Sequence, residues 1–309
     1  MRVLLNFRGG FAGLREGFEA LGHDVLEEGW MPGEAELAGA GICIADFVDC
    51  ARNLRRTVRH SRLLRRRAVP FLALNRDAPW HRGVHRRRLA LVTALAPFDG
   101  YAAHSMQDAV RYARRTLYCP NAARESLYHA TAEDLKAMRD PAYFKWDVSF
   151  LGNLDVARYP EHRLRAEFFR ALEERLRPLG LQVLFRDSAG VPTAEQLEII
   201  RRSRVNLSAH AACDAGAERS WGLPERCYGV PACGGFLLSD ARNHAPDDFA
   251  ADERAQFEGL DDCIERIRHF LALPEAMRAI AERAHARVMR EHLYRHRAAR
   301  LIDFSKHAG

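Results

Sequence analysis

Short apolar runs that alternate with helix-forming stretches leave this chain few folds to choose from. Residues 2–7, 41–46, 69–74 and 98–104 are of strand length, largely apolar, and followed by turn or helix signals. Gly22, after a helix over 14–21, is a helix-ending glycine that opens the next strand at 23–26. A second alternation begins at 147–153 and continues through a helix over 163–176, a strand at 181–185, a helix over 194–202 and a strand at 205–208. Strands and helices alternating at this spacing build parallel, doubly wound sheets. At 309 residues the chain has room for two domains of roughly 150 each. The expected fold is α/β, with two Rossmann-like domains facing across a cleft. The first spans 1–142 and the second 146–292. Polar, turn-rich residues 124–146 join them, and a last helix, about 293–309, crosses back to the first.

Composition excludes several classes. With 48% hydrophobic and 28% charged residues, no tract resembles disorder. The first apolar run is too short for a signal peptide, and no segment approaches the ~20 apolar residues that span a bilayer. The expected location is the cytoplasm, at most peripheral on the inner face of the membrane. Seven cysteines, an odd number without a Cys-x-x-Cys pair, argue against a disulfide framework or a zinc site. Cys43 and Cys233 read as small core residues. The net charge of +6 is unevenly spread: eight arginines and no acid lie between Arg52 and Arg67, followed by Arg82, Arg86, Arg87 and Arg88. This run reads either as a solvated helix face or as a surface for anionic lipid headgroups. Without aromatic interleaving or a known module, nucleic acid is not an expected partner.

The stretch 224–240 reads as a short helix, a glycine turn, a buried strand and a polar residue at the strand's end. In open α/β sheets, ligands bind outside the carboxyl ends of strands, where backbone N–H groups meet anions. Arg226 is the expected diphosphate contact. Cys233, Gly234, Gly235 and Phe236 are the expected backbone cradle, since glycine lets main chain approach a phosphate closely. The segment Arg226-Cys227-Tyr228-Gly229-Val230-Pro231-Ala232-Cys233-Gly234-Gly235 resembles the donor-site segment of the CgeB-like, group 1 glycosyltransferases of GT-B fold. The resemblance extends over 69–128 and 148–304, and is most specific at 231–240 and in Glu291-His292-Leu293-Tyr294-Arg295-His296-Arg297. Gly229 departs from it by standing where the family carries Glu, a carboxylate that would accept hydrogen bonds from ribose hydroxyls. Either another acid, such as Glu225, takes over, or the nucleotide is held differently; Glu218 is also near in sequence.

The resemblance implies further roles. Asp77, in the loop after the strand at 69–74, would orient or deprotonate an acceptor hydroxyl, with His81 and His104 as weaker candidates. Gly152 would let phosphate or base lie against the chain, Asn153 would offer an amide, and Arg158 or Arg163 would pair with the diphosphate. His210, just past a strand end, would contact the ligand and stabilise charge on the departing group. Gly10 lies in a strand-to-helix turn, 8–13, whose dinucleotide fingerprint would need glycine where Arg8 stands, so a nicotinamide or flavin site is not expected. In the family this loop floors the active cleft. No paired-aspartate motif is present and no metal is expected; the nucleotide-sugar is donor substrate rather than cofactor. The implied activity is transfer of a sugar from a nucleotide-activated donor to an acceptor hydroxyl on a glycan or lipid-linked acceptor, in cell-envelope polysaccharide or lipopolysaccharide synthesis. The alternative is a non-catalytic nucleotide- or sugar-binding protein on the same scaffold.

Overall fold

The computed structural model describes residues 1–27, 29–79, 84–107, 109–211 and 221–306. Two compact units emerge. The first comprises 1–121 together with 294–309, and the second 122–293. In the first unit the order is β1 (Arg2–Asn6), α1 (Ala12–Ala20), β2 (Asp24–Leu26), β3 (Ala40–Asp46), α2 (Phe47–Arg52), α3 (Leu54–Arg66), β4 (Phe71–Asn75), α4 (Arg86–Leu95), β5 (Gly100–Ala103) and β6 (Thr116–Tyr118). The second unit opens with α5 (Ala132–Ala137), β7 (Trp146–Leu151), α6 (Arg163–Leu176), β8 (Val183–Arg186), α7 (Thr193–Arg201) and β9 (Ser203–Ser208). It continues with α8 (Arg226–Ala232), β10 (Leu237–Asp240), α9 (Ala245–Asp248), β11 (Ala255–Phe257), α10 (Gly259–Ala272) and α11 (Pro274–Glu291). The last helix, α12 (Tyr294–Lys306), belongs to the first unit.

Each unit holds one parallel sheet, ordered β2-β1-β3-β4-β5-β6 in the first and β11-β10-β9-β7-β8 in the second. Strands such as Phe71–Asn75 are buried along their whole length, which explains their unbroken apolar character. In the second sheet β7 has β8 on one side and β9 on the other, so chain order reverses between β7 and β9. A crevice opens outside the carboxyl ends of strands at such a reversal. The order reverses likewise between β1 and β3 in the first sheet.

Packing explains several glycines and one arginine. A Cβ at Gly13 or Gly17 would come within 2.5 Å of the Tyr294 ring or carbonyl, so α1 and α12 meet only because both positions lack side chains. Arg297, 1% exposed, donates to the carbonyls of Pro120 and Asn121, tying α12 to the end of the first unit's chain. On α3, Thr57, His60, Ser61 and Leu64 face the core, while Arg55, Arg59, Arg62 and Arg66 form the exposed stripe. No helix among the described residues is long and apolar enough to cross a membrane.

Candidate functional site

The reversal between β7 and β9 coincides with a cleft of about 320 Å³ within the second unit, lined among others by Ser149, Leu151, Arg165, Asn206, Glu225 and Arg226. Arg226 opens α8 at this edge. It donates through Nη2 to the Leu151 carbonyl and lies 4.5 Å from the centre of the Phe150 ring. Burial pulls its pKa below the ordinary guanidinium value, so an anionic partner there is worth more than in water. A Cβ at Gly152 would collide with the Arg226 guanidinium and the Phe150 ring. Gly152 therefore makes room for Arg226 rather than for a ligand laid directly on the chain.

A second guanidinium sits alongside. Arg165, 8% exposed, donates to the carbonyls of Ala209 (3.3 Å), His210 (3.1 Å) and Asn153 (3.2 Å). It continues the apolar stripe of α6 formed by Phe168, Phe169, Leu172 and Leu176, so the helix carries it inward. Arg163, one of the two arginines expected here, instead has a side chain 72% exposed and pairs with Glu167 one turn on. The stripe was the signal: position 165 lies on it and position 163 does not. Asn153 keeps its place beside β7, where its side-chain oxygen accepts from Ser188 at 3.4 Å.

His210 adopts a left-handed backbone (φ 48°), an unusual conformation for a residue other than glycine. Asp240, at the end of β10, accepts its N–H at 3.0 Å, while Arg242 grips the same carboxylate with two donors at 3.0 Å. The imidazole packs against Phe168 at 5.2 Å, outside the lining of the cleft. Partial burial lowers its pKa against the opposing pull of Asp240. The Asp240–Arg242 pair was absent from the sequence expectations.

The glycine turn does not join this group. Residues 233–236 connect the end of α8 to the start of β10, and in a parallel unit a helix-to-strand turn lies at the amino edge of the sheet. Cys233 is fully buried beside Leu197, Ile200 and Val230. A Cβ at Gly234 would meet Leu135 at 2.5 Å, and its carbonyl accepts from Arg278 at 2.7 Å. Gly235 lies against Asn206, Val230 and Ile200, and Phe236 packs on Phe270 at 4.8 Å. The expected cradle is thus a packed core turn, because α8 separates it from Arg226. Glu225 does reach the cleft, which Tyr128 also lines.

At the carboxyl edge of the first sheet, Gly10 turns the chain with φ 69°, and its N–H donates to the Phe7 carbonyl at 3.0 Å. Glu27 closes that turn by accepting from the Phe11 N–H. Asp77 follows β4 half-buried, its N–H donating to the Asn75 side chain at 3.3 Å. His104 is buried and donates its backbone N–H to the Asn75 carbonyl. Asp46, at the end of β3, caps α2 by accepting from the Asp49 N–H at 2.8 Å. Burial raises its pKa, and the neighbouring Asp49 and Asp77 add to that while Arg76 opposes it. His81 and Glu218 lie outside the described residues. Also in the first unit, the helices α3 and α4 flank a groove with Leu91 and Leu95 about half exposed, rimmed by Arg52, Arg55, Arg56 and Arg88. Among the described residues no group of three or more His, Cys, Asp or Glu is placed to hold a metal ion.

Comparison with known proteins places this geometry in context. The sequence profile of a family described as glycosyl transferase-like matches residues 135–303. No curated protein matches the chain significantly. Among solved structures, sucrose-phosphate synthase from Thermosynechococcus elongatus superposes with a TM-score of 0.63 at 12% identity, covering 99% of this chain and 98% of that one. Anabaena HepE in complex with UDP gives 0.62 at 12% identity, over 98% and 99%. A UDP-forming α,α-trehalose-phosphate synthase from Burkholderia vietnamiensis gives 0.57 at 12% identity, over 88% and 75%. The chain shares the GT-B fold of these structures.

Proposed function

The chain belongs to the glycosyl transferase-like family, and from that premise we propose that it moves a sugar from a nucleoside diphosphate donor to an acceptor hydroxyl. The observation that carries this reading is the pair of guanidiniums, Arg226 and Arg165, at the strand-order reversal of the second sheet. Glycosyl transfer from such a donor releases a diphosphate, so positive groups held rigidly in a poorly solvated crevice favour the departing charge. Arg226 is the contact to the diphosphate, and Arg165 fixes the chain around His210 and Asn153. The arginines carry the phosphate charge without a metal ion. Glu225 meets the sugar or ribose hydroxyls.

The acceptor side belongs to the first unit. Asp77 is the base that takes the acceptor proton, and Gly10 shapes the floor beside it. The arginine stripe of α3 and the exposed leucines of α4 suit a glycan acceptor presented at an anionic membrane surface, as in cell-envelope polysaccharide or lipopolysaccharide synthesis. Each base near such a surface is worth ~1 kcal/mol. Replacing Arg55, Arg59, Arg62 and Arg66 with glutamine should abolish binding to phosphatidylserine vesicles; unchanged binding would make the stripe a solvated face.

The reading is tested on one plate. Thermal shift against UDP, GDP, CMP and dTDP should show one nucleotide stabilising the protein, since a ligand at 100 times its dissociation constant contributes ~2.7 kcal/mol. The matching nucleotide-sugar should then release its nucleotide, at least by slow hydrolysis. Stabilisation with no turnover of any sugar or acceptor would favour a non-catalytic binding protein.

A further inference from the structure

Two arginines at the carboxyl edge of the first sheet are held by aromatic rings rather than by carboxylates. Arg76, the residue after β4, has its guanidinium carbon 3.9 Å from the centre of the Phe11 ring and 5.9 Å from that of Phe7. Arg8, two residues past β1, stands 4.5 Å from the centre of the Trp30 ring. These platforms are themselves fixed. Phe7 and Phe11 are buried and meet edge to face at 5.2 Å, and Phe11 meets Tyr294 in the same way at 5.3 Å. Arg56 holds Trp30 by donating to its carbonyl at 2.8 Å.

Stacking of this kind fixes the plane of a guanidinium without using its N–H groups. Arg76 makes no hydrogen bond or ion pair to any described residue, and its Nε is enclosed without an acceptor. Arg8 has one carboxylate near it, Asp49 at 4.0 Å, beyond hydrogen-bond reach. Elsewhere in the unit Arg2 closes on Asp24 at 2.8 Å, and Arg67 on Glu34 at 2.5 Å. Asp46, at the end of the strand between β1 and β4, directs a carboxylate oxygen to the Asp49 N–H instead. A Cβ on Gly9 would meet no atom within 4 Å, so the turn beside Arg8 is open to a ligand.

We propose that the acceptor sugar carries its own oxyanion, a phosphate monoester or a carboxylate, and that Arg76 and Arg8 bind it. The proposal rests on the transferase reading above and names its acceptor class. A neutral acceptor hydroxyl needs a base and a few hydrogen bonds; it gives no reason for two guanidiniums with unused donors at this edge. A planar guanidinium presents paired N–H groups that match two oxygens of a phosphate or carboxylate. The rings orient that fork beforehand, so less side-chain freedom is lost on binding. Asp77 follows Arg76 directly, so an anion held at Arg76 also fixes where the acceptor hydroxyl lies relative to the base. Binding of a remote group is thereby turned into orientation at the reacting one.

The experiment is calorimetric titration of the full chain, saturated with the nucleoside diphosphate selected by the thermal-shift plate. Inorganic phosphate, glucose 6-phosphate, glucuronate and glucose are the probes. Inorganic phosphate should bind the saturated protein. Arg76→Gln and Arg8→Gln should each weaken it about tenfold, the scale of one charge-assisted hydrogen bond, with nucleoside diphosphate affinity unchanged. The Arg8 side chain is 53% exposed, so its variant keeps the fold. Arg76→Lys, which retains the charge and loses the fork, should recover only part of the loss. Glucose 6-phosphate binding more tightly than glucuronate makes the group a phosphate, and the reverse order makes it a carboxylate. Phosphate that fails to bind, variants that bind it as well as the wild type, or glucose that binds as tightly as its charged relatives overturns the proposal while the transferase reading stands. An equal loss of nucleoside diphosphate affinity in the variants assigns the arginines to the donor and overturns it too. Failure of every nucleoside diphosphate to bind overturns both.

Discussion

The guanidinium of Arg226 occupies the space that a side chain on residue 152 would need, and it bonds the carbonyl of the residue before, Leu151. One glycine at the end of β7 and one arginine at the start of α8 therefore form a single device. Gly152→Ala should push the guanidinium out of its seat and weaken nucleoside diphosphate binding about tenfold, the scale of one charge-assisted hydrogen bond. The double variant Gly152→Ala, Arg226→Ala should bind no worse than Arg226→Ala alone, because both changes remove the same contact. Additive losses in calorimetry would show that the two residues act separately.

Two arginines on α6 separate a site residue from a surface residue. Arg165→Met strips the donor from three backbone carbonyls and should destabilise by about 3 kcal/mol, a fall in Tm of roughly 6–12 °C. Arg163→Ala removes an exposed pair and should stay within about 0.5 kcal/mol of the wild type. Thermal melts of both variants decide it; similar shifts would contradict the assignment.

Asp77 carries the acceptor chemistry in this account. Asp77→Asn should lower kcat by about 10²–10⁴, the usual worth of a general base, with donor affinity unchanged. Steady-state kinetics with saturating donor reads this directly. A normal kcat would shift attention to Asp46, the carboxylate at the neighbouring strand end.

The core of the first unit contains a pH-sensitive group far from this chemistry in role. Burial, with help from the nearby Arg56 charge, lowers the His60 pKa from 6.5 to about 4. Asn6 contacts its Nε2 at 3.2 Å. The unfolded ring takes a proton near pH 6.5 and the folded ring only near 4, so the unfolded chain binds more protons between those values. Stability should be full above pH 6.5 and fall as pH drops through that window, by up to about 1.4 kcal/mol per pH unit for one proton. His60→Gln should flatten the dependence of Tm on pH between 7.5 and 5; a slope unchanged by the substitution would assign it to other groups.

Much of this architecture is legible in the residues themselves, for reasons that also mark where legibility ends. Buried parallel strands such as Phe71–Asn75 are apolar on both faces, and helices such as Arg163–Leu176 carry an inward stripe, so both announce themselves. The α4 helix escapes notice because it opens with three arginines, and β11 because it is a three-residue strand. The Gly234–Gly235 turn shows the harder problem. Its composition suits a phosphate, but chain direction puts it at the opposite edge of the sheet from Arg226, packed under Leu135 and Met138. Local chemistry tells what a turn can bind; topology tells whether anything can reach it. Gly229 is harder still: a Cβ there would lie 2.8–2.9 Å from the Tyr128 ring, a neighbour that no spacing relates to it and only the folded chain brings close.

The central claim is that the diphosphate binds where strand order reverses in the second sheet. A crystal structure of the protein with the nucleoside diphosphate selected by thermal shift tests it most directly. Diphosphate oxygens should lie about 3 Å from the Arg226 guanidinium, outside the carboxyl ends of β7 and β9. A diphosphate bound instead at the amino edge, against Gly234 and Gly235, would contradict the account.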